Sequence, residues 1–369
     1  MTYTNPPPRL DRRAVLAGLA AGTAAASASL APIWAKDGGN DPAAGIEQIE
    51  VSSRPITHFE RERSEVTRFG PLEFRGGMLL SSSAKDFGGW SALVMEPTGK
   101  SLLAISDEGY WLTADLAYDG ARPTGLLRAK LAPLLDGDGR PLERKVERDS
   151  ESATLLEGTL QDGLLIVGFE RHHRIDRYPI RSGEVQPTTG TLKLPAEAKR
   201  MPTNQGLEAL TVLKGGPYKG TIVAFAERFT RGSGYHTGWM WVGGGEPQRI
   251  QLKDIDGFNI TDATGLADGS LLVLERFFRW TEGVKMRLRH IPVSEIVPGA
   301  RVTGRTLIEA DGAFDIDNME GLAVHRGSGG ETVLTLISDD NFNHFLQRTV
   351  FLQFTLNDAE LQSASPSRT

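Results

Sequence analysis

The chain has no cysteine in its 369 residues. That excludes disulfide frameworks, zinc–thiolate sites and any mechanism with a cysteine nucleophile, cysteine phosphatases included. Aromatic residues are scarce, at 7%, and no segment keeps a helical period for several turns, which leaves little room for long helices. No G-x-S-x-G elbow is present, and "RGSGYH" (231–236) lacks the strand-turn-helix setting that a nucleophilic serine needs. The stretch "RHHRIDR" (171–177) lacks the Gly and Pro of the R-H-G-x-R-x-P phosphatase signature. Positive charge is in deficit too. Without residues 1–35 there are 38 basic against 46 acidic residues, an acidic balance that argues against nucleic acid or an anionic membrane as partner.

What is abundant is turn chemistry, with 42 Gly and 20 Pro, and this favours many short strands. Residues 1–35 read as a twin-arginine-type signal peptide: an Arg12-Arg13 pair, a weakly apolar Ala/Gly stretch, then small residues at Ala26, Ala28 and Ala35. A membrane anchor is the other reading of that stretch. The signal reading implies the twin-arginine export machinery as a partner and a periplasmic or secreted mature protein. Residues 36–64 read as a linker and strand, 65–358 as the folded domain and 359–369 as a disordered tail.

Within the folded domain one pattern recurs. A polar residue precedes a short apolar strand, a Gly-rich turn follows, then a second apolar strand ends in acids. The five copies are "FGGWSALVMEPTGKSLLAISDEG", "DSESATLLEGTLQDGLLIVGFERHH", "NQGLEALTVLKGGPYKGTIVAFAER", "ITDATGLADGSLLVLERFFR" and "NMEGLAVHRGSGGETVLTLISDDN". With Leu93, Ala153, Leu210, Leu266 and Leu322 as equivalent positions, the steps are 60, 57, 56 and 56 residues. Each unit continues with a third strand and, except in the last, room for a fourth. Four antiparallel strands at this spacing define an all-β fold, a β-propeller with five repeats visible. The last unit lacks a fourth strand, and "FGPLEFRGGMLLSSS" (69–83) is placed to supply it and close the ring. An additional strand in "IEQIEVSSRPITHF" (46–59) leaves six blades possible.

First strands line a propeller's channel, so Glu151, Glu208, Asp262 and Glu320 are expected to converge on the axis. Asp107, Glu108, Asp339, Asp340 and Asn341 follow second strands. Carboxylates gathered in a small volume repel one another and need a cation. Oxygen ligands of this kind suit Ca²⁺. Arg171, Arg228 and Arg276 are the other source of positive charge, either for a bidentate anion or for ion pairs between blades.

The segments "FGGWSALV…LLAISDEG", "NQGLEAL…AFAER", "LLVLERFF" and "NMEGLAV…TLISDDNF" resemble the phytase-like family, described by esterase-like activity of phytase, over roughly 65–356. The resemblance implies a propeller, bacterial secretion and phosphoesterase or esterase activity, with kinship to calcium-dependent propeller phytases. The lysine-rich phosphate site of those phytases has no counterpart here. The leading expectation is a monomeric, calcium-dependent phosphoric ester hydrolase. Glu208, Glu320 and Asp340 would be catalytic; Arg171, Arg228 and Arg276 would bind substrate; Asp107, Glu108, Glu151, Asp262, Asp339 and Asn341 would hold metal. A lactonase or carboxylesterase of gluconolactonase type and a non-enzymatic scaffold propeller fit the same pattern.

Overall fold

The computed structural model describes residues 45–227, 229 and 232–363. The signal read at 1–35 and Arg228 lie outside them. Runs such as Leu102–Ile105, Ile222–Ala226 and Leu271–Leu274 are buried at every residue. Neighbours in a strand point to opposite faces, so a run of this kind must be covered on both sides. The sheets are covered by one another. Five antiparallel sheets form a five-bladed β-propeller, with the inner strands Trp90–Met95, Ser150–Gly158, Leu207–Val212, Asn259–Gly265 and Asn318–Arg326. Five apolar clusters fill the five gaps between blades. In blade 1, for example, Leu102 and Ala104 face blade 5 while Leu103 and Ile105 face blade 2.

The ring closes as the sequence implies. Leu72–Ser81 pairs with Thr349–Leu356 and becomes the outer strand of the C-terminal blade. No sixth blade forms from the N-terminal stretch. Glu47–Ile49 instead extends blade 1 at Leu131–Ala129, and Ser52–Ile56 extends blade 5 at Ser81–Gly77. These residues therefore straddle the seam between the first and last blades. At the other end of the chain, Asp358–Ser363 forms a short helix.

Each inner strand carries a register shift near its start, which squeezes out one residue: Ser91, Glu151, Glu208, Thr261 and Glu320. A bulge leaves its extra residue out of the ladder and re-aims its side chain. The repeat alignment needs a correction here. In blade 4 the bulged residue is Thr261, so the partner of Leu93 is Ala263 rather than Leu266.

Hydrogen bonds between neighbouring blades then fix the ring. Thr261 Oγ1 donates to the Met319 carbonyl (3.1 Å), and Ser150 Oγ donates to the Ser106 carbonyl (2.7 Å). Asp262 joins this set, accepting from the amides of Ala263 and Leu322, each at 2.7 Å.

Candidate active site at the acidic mouth

The bulges bring three sets of equivalent positions to one mouth of the channel. The first is the bulge itself: Ser91, Glu151, Glu208, Thr261 and Glu320. The second lies two residues earlier: Gly89, Asp149, Gly206, Asn259 and Asn318. The third pairs with the second from the end of the neighbouring strand: Asp107, Glu170, Glu227, Arg276 and Asp339. Eight of these fifteen positions are carboxylates and one, Arg276, is a cation. Room for the acids comes from glycine. A Cβ on Gly89, whose φ is +64°, would lie 2.4 Å from Asp107 Oδ1.

Asn318 Nδ2 donates to Glu320 Oε1 (2.8 Å) and Asp339 Oδ2 (3.3 Å), while Asn259 Nδ2 donates to Glu227 Oε1 (2.6 Å). Arg276 approaches Glu320 Oε1 at 3.6 Å, and its buried Nε has no hydrogen-bond partner. On the opposite side Lys145, from the one-turn helix Lys145–Arg148, reaches Asp107 Oδ2 (3.0 Å), Glu108 Oε1 (2.9 Å) and Asp149 Oδ1 (2.7 Å). Arg171, at a φ of +55°, donates to the other oxygen of Asp149. Asp107 Oδ1 is buried and has no partner.

Eight carboxylates therefore face three cations among the described residues, and the excess charge shows in their acidities. Burial pushes Glu170 up to about 8, with the charge of Asp149 adding to it. Burial also lifts Glu320 to about 7 against the opposing pull of Arg276. Glu151, Glu208 and Asp339 are raised well above the carboxylate range, first by burial and then by one another and their acidic neighbours. Charged groups removed from water in this way take up protons or a cation.

Asp149, Glu151 and Glu170 each present an oxygen within 4.8 Å of the others. Two ligands about 2.4 Å from one Ca²⁺ can be no farther apart than that. These three residues fit a hard divalent ion in spacing and in donor type.

A pH dependence follows from the raised acidities. Glu320 and Glu170 titrate near 4.5 when unfolded and are raised to about 7 and about 8 in the folded, metal-free protein. The folded state then holds the extra protons, so the stability they confer is fully present below pH 4.5 and is lost as pH rises through 8. Chelator-treated protein is expected to lose about 5 °C or more in Tm between pH 5 and pH 8 in calorimetric scans. Added calcium should restore more of that loss at pH 8 than at pH 5. A flat or rising Tm across this window would show that the acids are compensated internally.

Of the residues singled out from sequence, Glu151, Glu208, Glu320, Asp107, Asp339 and Arg276 occupy the three sets of mouth positions. Glu108 is tied to Lys145 and Arg148 at the rim, and Arg171 is committed to Asp149. Asp262 lies on the ring contacts described above. Asp340 is buried, with its oxygens on the amides of Gly89 (3.0 Å) and Phe342 (3.2 Å) and the hydroxyl of Thr349 (2.9 Å). Asn341 is an exposed turn residue with a φ of +49°. Sequence reasoning missed Asp149, Glu170, Glu227 and Lys145 as site residues. For Asp149 a signal was present, because Asp149-x-Glu151 matches Asn318-x-Glu320 and Asn259-x-Thr261.

The site is a carboxylate-lined mouth on a five-bladed propeller, an arrangement suited to holding a cation. The phytase-like family model, described as esterase-like activity of phytase, matches residues 85–342, and the chain belongs to that family. The resemblance read from its four segments is borne out. A search of curated proteins finds no match.

Proposed function

We propose that this protein is an exported, calcium-dependent phosphoric ester hydrolase acting at the acidic mouth. The observation that carries the reading is the surplus of oxygen ligands: eight carboxylates in equivalent blade positions, three of them spaced for one divalent ion. Asp149, Glu151 and Glu170 would hold calcium. Bound there, calcium supplies charge neutralisation of phosphate oxygens and a more acidic, oriented water.

The remaining roles fall to side chains of the chain itself. Arg276 has an Nε free to donate and pairs with phosphate charge beside Glu320. Glu320, held near 7 by burial, is poised to accept a proton from an attacking water at neutral pH. Asn318 fixes its orientation through Oε1. Arg276 is the one cation among the fifteen mouth positions, which favours a monoester with one phosphate over a polyphosphorylated sugar. The twin-arginine-type leader supports export.

The test is calorimetric titration of calcium into mature, chelator-stripped protein, with p-nitrophenyl phosphate turnover followed in parallel. Saturable binding with calcium-dependent turnover is the expected result. Binding without phosphate turnover would redirect the reading to a lactone or carboxylic ester. No binding would leave a scaffold propeller.

A further inference from the structure

The inner strands all begin at the acidic mouth, so their far ends gather at the opposite one. Met95 ends the blade 1 strand and Val324–Arg326 end that of blade 5, while Lys214 and Leu266 follow those of blades 3 and 4. Met95, Lys214, Leu266, Val324, His325 and Thr332 line a cavity of about 180 Å³ there. A strand of six residues separates the two mouths by about 20 Å, so this cavity is not part of the acidic site.

Its chemistry is the reverse of the first mouth. No carboxylate lines it. Lys214 makes no hydrogen bond or ion pair among the described residues. Lys214 stands open to solvent at this mouth, so its ammonium is charged at pH 7 and within reach of a ligand. His325 is 7% exposed and its Nδ1 has no partner. Desolvation, aided by Arg75, lowers the ring to about 4, so a neutral imidazole can donate from Nδ1 as one tautomer. The ring is seated by Gly99, whose φ is +71° and where a Cβ would come within 2.3 Å of the imidazole. Arg326 is engaged elsewhere, with the Gly330 carbonyl (3.1 Å) and Thr332 Oγ1 (2.9 Å). The cavity thus joins an unpaired, accessible ammonium to an apolar wall of Met95, Leu266 and Val324, with the His325 side chain in its lining.

We propose that this second mouth binds a small organic carboxylate, its anionic head paired with Lys214 and its apolar body against Met95, Leu266 and Val324. The cavity has room for roughly six waters by liquid volume, which suits a ligand the size of benzoate.

The test is titration of the mature protein with sodium benzoate at pH 7, beside Lys214→Met and Lys214→Arg, with inorganic phosphate as a second probe. Wild-type protein is expected to bind benzoate saturably and Lys214→Met at least about tenfold more weakly, with Lys214→Arg retaining most of the affinity. Thermal melting checks that Lys214→Met is folded. Equal affinity in Lys214→Met, or no saturable benzoate binding by wild type, overturns the proposal. Lys214-dependent binding of phosphate but not benzoate overturns the apolar part of it. The Glu320→Gln variant should bind benzoate normally, which separates this outcome from failure of the acidic site.

Discussion

Glu320→Gln is expected to lower calcium-dependent turnover of p-nitrophenyl phosphate about 100-fold, with the protein folded and its melting temperature not reduced. The glutamine keeps the volume and the acceptor for Asn318 Nδ2 but cannot take a proton or balance Arg276. Removing one member of a crowded set of carboxylates also relieves repulsion, since burial and acidic neighbours already raise Glu320. The change therefore separates function from stability. If Glu320 acts as the base, the fall should lie in kcat, and the acid limb of the pH–rate profile near 7 should disappear. A loss of folding without chelator would mean that Glu320 is structural. Full activity would move the base to another carboxylate of the mouth.

Asp262→Ala should have the opposite signature. Asp262 is 1% exposed, and its two oxygens satisfy the amides of Ala263 and Leu322. Truncation leaves two buried N–H groups without acceptors, at about 1–3 kcal/mol each. Part of that is offset because a carboxyl held well above its usual range by burial is no longer buried. A net loss of about 2–4 kcal/mol is expected in denaturant unfolding. Calcium stoichiometry should not change below the transition. A lost calcium equivalent in Asp262→Asn would instead return this residue to the ligand set.

That contrast shows how far the sequence could be read. The propeller was legible because a fold repeat forces a composition repeat: every inner strand needs an apolar run behind a polar start, and five of these are visible. The closing strand was legible because Asn318–Leu356 supplies only three strands and 69–83 was left without a hairpin of its own. Register was harder. An alignment on apolar residues cannot see a bulge, so Asp262 was matched to glutamates that are one residue out of step with it. The same blindness put Arg276 beside Arg171 and Arg228 as the second half of a Glu-Arg pair. In blade 4 the ladder runs one residue differently, and Glu275 turns inward to a fully buried partner, Arg289. Arg276 consequently takes the slot that Glu170 and Glu227 fill elsewhere. Lys145 had no repeat to reveal it, because it comes from a connection that only the first two blades share.

The seam carries a consequence for how the molecule is made. Strand Leu72–Ser81 leaves the ribosome long before its partner Thr349–Leu356 is synthesised. Until then the apolar faces that the first and last blades bury against each other have nothing to cover them. A nascent chain of this kind cannot close its ring as it emerges; it must wait for strand Thr349–Leu356, and pairing across so long a separation is slow. The half-made protein is therefore the form most exposed to aggregation and to proteases. Joining the two ends of the propeller and opening the ring between two other blades would move that waiting period without altering the acidic mouth.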